Sequence, residues 1–320
     1  TPMRRGLFAL IAIVSAAAWP QSESEKFHSF LDEDLQYLLE NAPEYATYVG
    51  DPRYNDRWDD YSIEAVERWD AHDRESLERL SAFDRSALDP ADQLNYDLYR
   101  YRTQVEVDGQ RFKDEYLPLN QLAGVQQDIA DTVNRMPAQT LKQMEDILAR
   151  LKSADAPIDE TIKRMQWGLE LGITPPAITL RDVPDQIRAQ LVEDPTRSPI
   201  YRPFIELPSD INAADQERLR AEASEAIANV IVPAYTRLQA FFVNDYLPNA
   251  RESIALTELP DGEAWYQWRV RQMTTTDRTP QQIHDLGVSE VKRIRAEMEA
   301  IIQQTGFDGT FNEFSEFLQT

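Results

Sequence analysis

The chain has 320 residues, 42% of them hydrophobic, which is enough apolar material for the core of one large domain or two ordinary ones. Its 56 acidic residues outnumber its 33 lysines and arginines, and the formal net charge is −23. A surface of this charge repels nucleic acid and anionic lipid, so we expect neither as a partner.

The first 18 residues have the three parts of a secretory signal peptide. The basic start Met3-Arg4-Arg5 is followed by an apolar run over residues 7–14 and by small residues over 15–18. The apolar run is too short to span a bilayer, so we expect cleavage near Ala18 and no membrane contact afterwards. The chain contains no cysteine, so we expect neither disulfides nor a lipid-attachment cysteine. We therefore predict a soluble bacterial protein that is periplasmic or secreted.

Helical patterns follow the signal peptide. Ser22 and Glu25 have the spacing of a capping box, and the helix that they open is expected to end at Pro43. Residues 45–61 are rich in aromatic, Asp, Gly and Pro residues and predict a loop. Apolar residues at helical spacing predict four further helices, over residues 62–80, 89–105, 138–151 and 158–171. We also expect a shorter helix over 182–192.

The second half of the chain contains the only strand signals. Four prolines between residues 195 and 208 predict an extended connection, and residues 210–246 predict one long helix with a kink at Pro233. Residues 253–259 and 265–273 are the strand candidates, on either side of a turn over 260–262. A last long helix should begin at Thr279 and end at Gly306. The predicted fold class is mainly α, a multi-helix array with a small β-hairpin or edge element near residues 253–273.

No complete catalytic constellation is visible in the sequence. The three histidines, His28, His72 and His284, do not form a His-Glu-x-x-His motif, and no Gly-x-Ser-x-Gly motif is present. Carboxylates are abundant, but adjacent carboxylates are expected on the solvated faces of so acidic a chain. We therefore assign no catalytic residue, no metal ligand and no cofactor to this chain.

Two segments look more specific than ordinary helix. Residues 48–57 combine Gly, Arg, Asn and aromatic residues, which suits either a loop that caps neighbouring helices or a wall that faces a substrate. Residues 262–269 either form a hairpin packed on the helices or an edge strand that aligns a peptide backbone. Arg53 in the first segment, and Tyr266 and Arg269 in the second, are the candidate substrate-binding residues.

These segments resemble a known family, the bacterial proteins called domain of unknown function 885. The resemblance is carried by residues 45–56 (YATYVGDPRYND), 262–276 (GEAWYQWRVRQMTTT), 279–287 (TPQQIHDLG) and 293–298 (RIRAEM). It extends from about residue 27 to the end of the chain.

The resemblance implies a function that the residues alone do not. Family members look like exported, helical relatives of zinc metallopeptidases and are longer than this chain, with the His-Glu motif in the part that follows. The resemblance thus implies that residues 19–320 are the N-terminal helical portion of one larger metallopeptidase-like domain, truncated at its C-terminus. The chain alone would be inactive and would form one wall of a cleft for short peptides, while zinc would be bound only by the full-length protein.

A second function remains open from the residues. Because no metal or nucleophile constellation is visible, the chain could instead be a non-catalytic, exported helical protein that binds a partner or acts as a scaffold. The two hypotheses differ in what should follow Thr320. Apolar residues at helical spacing up to Leu318 lead us to expect a longer reading frame.

Overall fold

A computed structural model describes residues 22–319, so the predicted signal peptide lies outside the described residues. The described part is mainly helical, as predicted, and its helices pack into a multi-helix array. The α-helices in chain order are α1 Glu23–Asn41, α2 Pro43–Tyr48, α3 Ile63–Ser81, α4 Pro90–Gly109, α5 Val125–Arg135, α6 Leu141–Lys152, α7 Asp155–Leu171, α8 Val183–Arg188, α9 Ala213–Ala226, α10 Val232–Phe241, α11 Gly262–Thr274, α12 Pro280–Thr305 and α13 Phe311–Phe317.

The predicted helix ends are confirmed where the sequence supplied a cap. Ser22 and Glu25 form the capping box of α1, and the Asp89 carboxylate accepts hydrogen bonds from the first amides of α4. Thr279 forms a second capping box at the start of α12, and Gly306 ends that helix with a left-handed φ of 72°. These ends were predictable because each cap is made by residues within four positions of one another.

The long helix predicted over residues 210–246 is confirmed, with two local changes of pitch. π-Helical turns over Ile227–Ile231 and Phe242–Tyr246 flank α10. The first turn directly precedes Pro233, whose ring cannot fit an unmodified α-helix, so the wider turn accommodates it. The stretch Ala213–Asn249 is apolar and long enough to cross a membrane on composition alone. Several of its large side chains, among them Tyr235, Phe242 and Tyr246, are however buried in the main core.

The prolines after residue 195 do not produce an extended connection, so that prediction is wrong. Pro195–Arg197 and Pro199–Phe204 form short 3-10 helices, and Ile200 and Phe204 are completely buried. Proline fixes φ at a value that a 3-10 turn also uses, and the apolar residues between the prolines bind to the core. The predicted loop over 45–61 is likewise partly helical, because Pro43 starts α2 rather than only ending α1.

The strand prediction near residues 253–273 is wrong. Residues 262–274 form α11, Leu256–Glu258 form a 3-10 turn, and a single bridge between Pro176 and Arg251 is the β-pairing recorded among residues 22–319. The tryptophans favour strands only where a neighbouring strand can pair with the backbone. Here Trp265 and Trp268 lie three residues apart on the helix face that contacts α4 and the residues after it, and Gly262 lies against the turn over Leu256–Glu258.

Three apolar clusters hold the array together. The largest lies among α5 to α10, and a second joins α1, α3 and α4 around Phe27, Phe30 and Leu80. The third consists of Phe112, Ile173, Leu259 and Trp265, and it attaches α11 to the C-terminal end of α4. The second and third clusters together fix α3, α4 and α11 around the candidate site.

Candidate functional site

A polar recess of about 200 Å³ lies where α3, α4 and α11 meet. Five carboxylates line it together with the Trp268 ring, and we call it the acidic recess: Asp70, Asp73, Glu106, Asp114 and Glu115. Trp268 is held in place because its Nε1 donates to the Val105 carbonyl at 2.7 Å and its ring lies against Gly109. A Cβ on Gly109 would lie 2.2 Å from that ring, so the close approach requires glycine. Such a surface attracts cationic groups.

A more enclosed cavity of about 100 Å³ adjoins the acidic recess and shares Asp73 and Glu106 with it. We call it the inner cavity. Its other walls include Trp69, Tyr99 and Arg102. Burial raises the pKa of Asp73 to about 6. The nearby His72 lowers this pKa, and the negative charges of Glu106 and Asp70 raise it further. A cation beside Asp73 would favour its ionised form and lower that pKa.

Beside the inner cavity, Asp34 of α1 lies close to His72 and Ser76, which are one turn apart on α3. His72 Nε2 lies 2.7 Å from Asp34 Oδ1, and Ser76 Oγ lies 3.5 Å from the same nitrogen. A nucleophilic serine needs a histidine that contacts the serine through one ring nitrogen and the aspartate through the other. Both partners here approach Nε2, and Ser76 is buried. The arrangement is therefore a structural hydrogen-bond network, further held by stacking of Tyr37 on the His72 ring at 3.6 Å.

The segment that carries the first family motif is folded around one buried arginine. Arg150 of α6 is completely buried, and its Nε donates to the Arg57 carbonyl at 2.9 Å. Its Nη2 donates to the Thr47 hydroxyl at 2.8 Å and to the Pro43 carbonyl at 3.1 Å. The Trp58 indole Nε1 donates a hydrogen bond to the Arg150 carbonyl at 2.8 Å. The distinctive composition of residues 43–58 thus serves to enclose Arg150.

Two carboxylates lie beside this arginine. The amide of Glu44 donates to Asp59 Oδ1 at 2.9 Å, and the amide of Asp59 donates to Glu44 Oε1 at 3.3 Å. Burial raises the pKa of Glu44 to about 7, and the Asp59 charge adds to the effect, whereas Arg150 opposes it. Burial also raises the pKa of Asp59.

The raised pKa of Glu44 predicts that stability falls as the pH rises. The folded state holds this proton more tightly than the unfolded chain, so the contribution is fully present below about pH 4.5 and is lost as the pH rises through about 7. Glu44→Gln cannot ionise, and we expect it to be more stable than the parent at pH 8 by about 1–3 kcal/mol. Urea unfolding at pH 5 and pH 8 measures the difference.

The control for Glu44 is Glu78→Gln, which changes an exposed glutamate on α3. It should leave the pH dependence of unfolding unaltered. If Glu44→Gln and Glu78→Gln behave alike at both pH values, the buried carboxyl does not set the pH dependence.

The three predicted substrate-binding residues lie in two places. Arg269 of α11 pairs with Asp114 of the acidic recess and lies over the Trp268 ring, and Tyr266 is 44% exposed on the same helix. Arg53 instead bonds to Asp51 and, at 2.6 Å, to Gln36 of α1. Tyr266 and Arg269 therefore belong to the helix that borders the acidic recess, whereas Arg53 belongs to the surface network of the motif segment. All three assignments stay predictions.

Sequence reasoning did not find the carboxylates of the acidic recess or Arg150. Asp73 and Glu106 look like any other acidic residues of two amphipathic helices, and only the packing of α3 on α4 brings them together. Gly109 and Trp268, which meet at the recess, are separated by more than 150 positions, so no local pattern indicated their contact.

The residues between 22 and 319 do not include three metal-binding side chains grouped closely enough to hold an ion. The zinc that the resemblance implies for the full-length protein stays a prediction.

Comparison with known proteins identifies the family. A family model described as "Bacterial protein of unknown function (DUF885)" matches residues 43–320, which is most of the chain. The chain belongs to this family. The DUF885 match includes both the motif segment around Arg150 and the helices of the acidic recess. No curated protein matches the sequence.

A solved structure shares the fold of this DUF885 chain. It is described as the putative lipoprotein from Colwellia psychrerythraea, and it is 21% identical with a TM-score of 0.79. The similarity covers 91% of this chain but 53% of that structure, so the chain spans about half of its length. At this identity the likeness concerns the fold.

Proposed function

We propose that the chain forms one wall of the substrate cleft of an exported, zinc-dependent peptidase that acts on short peptides. The observation that carries the proposal is the acidic recess beside α11, where carboxylates and the Trp268 ring adjoin Tyr266 and Arg269. Carboxylates hold the ammonium groups of peptides, and aromatic rings cover their apolar parts. The description of the Colwellia psychrerythraea protein as a putative lipoprotein supports an exported location.

In this proposal the residues of the chain bind and orient the peptide. Asp73 and Glu106 would receive a cationic group, and Arg269 would exchange its contact with Asp114 for one with a peptide carbonyl or carboxylate. Zinc, when bound, supplies polarisation of the scissile carbonyl and an activated water. The proposal assigns its ligands to the longer protein, since the described residues do not supply them.

The direct test uses the intact protein purified from its natural source. We expect about one zinc per chain by elemental analysis and cleavage of short peptides that a chelator abolishes. An intact protein that contains no zinc and cleaves no peptide would contradict the proposal. That result would favour the second candidate, a non-catalytic helical binding protein, with which the self-satisfied network of His72, Asp34 and Ser76 agrees.

A variant tests the role of α11 within the intact protein. Arg269→Ala or Tyr266→Ala should raise KM about tenfold and change kcat less, because each removes a contact to bound peptide rather than to the reacting atoms. Arg181→Ala is the matched control, since Arg181 is an exposed arginine that pairs with its neighbour Asp182. An unchanged KM in both α11 variants would show that neither Arg269 nor Tyr266 contacts the bound peptide.

A further inference from the structure

We propose that one face of α12 is the docking surface for the polypeptide that corresponds to the other half of the related structure. This face, the α12 stripe, consists of Gly287, Val291, Ile294, Met298 and Ile301. The inference rests on the proposed function, in which the chain is one portion of a longer protein. It adds where the two portions meet.

The α12 stripe has the spacing of a helix made to pack lengthwise against another helix. Its members follow one another at intervals of four, three, four and three residues, which places them on one side of the helix. Their side chains are nevertheless open to solvent, at 68% for Val291, 44% for Ile294 and 56% for Ile301. A recess formed only by α12 residues, including Val291 and Gly287, lies along the stripe.

The remainder of α12 shows why the helix persists without that packing. The principal contacts of α12 are with α11 and α13, and Ile302 is the one residue buried within it. Arg293 pairs with Glu290 and Glu297, both at 2.8 Å, away from the centre of the stripe. A capping box and left-handed Gly306 complete the two ends. The helix is about 39 Å long and locally stabilised, so its apolar side is available for a partner.

The comparison indicates what that partner is. The related structure has the same fold over 91% of this chain, yet this chain accounts for 53% of it, so nearly half of that molecule lies outside the shared part. A second copy is a poorer occupant because each copy carries a net charge of −23, and the charges repel. We therefore assign the α12 stripe to polypeptide that corresponds to the part of the related structure outside the shared fold.

Cysteine labelling tests this assignment, because the chain contains no natural cysteine. Ile294→Cys places a thiol on the α12 stripe, and Ala296→Cys places one about 200° around the same helix, at another exposed position. Each variant is made in the 320-residue chain and in the protein expressed from its complete reading frame. Maleimide labelling at each site is followed by peptide mass spectrometry, and circular dichroism confirms the helical fold.

We expect both thiols to react at similar rates in the 320-residue chain. In the complete protein the thiol of the Ile294→Cys variant should react at least about tenfold more slowly, while the control thiol stays reactive. Equal reactivity of both thiols in the complete protein would overturn the proposal, as would a reading frame that ends at residue 320. Concentration-dependent protection of the stripe in the 320-residue chain would also overturn it, in favour of a second copy. None of these readouts depends on peptide cleavage, so failure here and failure of the proposed function are separate results.

Discussion

Arg150→Met is expected to lower the free energy of unfolding by about 3–5 kcal/mol, as the loss of one member of a buried charged network does. The arginine is completely buried, and its removal takes the Nε donor from the Arg57 carbonyl, whereas the Pro43 carbonyl keeps its hydrogen bond from the Thr47 hydroxyl. Methionine fills much of the volume but cannot donate a hydrogen bond. The acceptors that lose Arg150 therefore stay buried without that bond, and this destabilises the folded state. The Glu44 carboxyl would also lose its nearby cation. Urea unfolding at pH 7 measures the loss.

Arg237→Met is the matched control for Arg150. Arg237 is about half exposed and pairs with Asp159 at 2.7 Å, so the same substitution should cost less than about 1 kcal/mol. If the two variants lose similar amounts, the segment over residues 43–58 does not depend on the arginine that it encloses.

Gly262→Ala is expected to lower the free energy of unfolding by about 1–3 kcal/mol, as overpacking does. A Cβ at this position would lie 2.3 Å from the Leu256 carbonyl oxygen and 2.7 Å from the backbone of Thr257. A backbone cannot rotate away as a flexible side chain can, so the turn over Leu256–Glu258 must move. That movement disturbs the cluster in which Trp265 of α11 is buried.

Gly287→Ala provides the opposite control in the 320-residue chain. A Cβ on Gly287 meets nothing within 4 Å, and the residue lies inside α12. Alanine should therefore stabilise the chain by about 0.5–1 kcal/mol through its higher helix propensity. A lower free energy of unfolding for Gly287→Ala, or an unchanged one for Gly262→Ala, would contradict this explanation. It would show that the space around the added Cβ does not determine how alanine affects stability at these positions.

The distinctive composition of residues 43–58 is explained by the structure of this segment. Residues 48–57 were expected to form either a loop that caps helices or a wall that faces a substrate, and in the structure this segment contains a capped 3-10 turn and lies beside the buried Arg150. Asp51 caps the 3-10 turn Pro52–Tyr54, and Thr47 bonds both Arg150 and Asn55. The assignment of Arg53 to substrate binding stays a prediction.

The sequence alone determined the helical class and most of the helix ends. Capping residues such as Ser22 and Thr279 act on amides three positions away, and Gly172 and Gly306 adopt left-handed φ at the ends of their own helices. These interactions are local, so a single stretch of sequence contains both partners. The π-helical turn over Ile227–Ile231 lies next to Pro233, where the sequence predicted a kink.

Only the tertiary structure decided the state of residues 253–274 and the composition of the candidate site. The tryptophans of α11 suit a strand or a helix, and the stacking of Trp265 on Phe112 at 5.8 Å selects the helix. Asp73, Glu106 and Trp268 meet because α3, α4 and α11 pack together, although α11 is far from the other two in sequence. Such contacts depend on side chains that no local pattern links. Helices with local caps, such as α1 and α12, could therefore be predicted from the sequence, whereas α11 and the acidic recess could not.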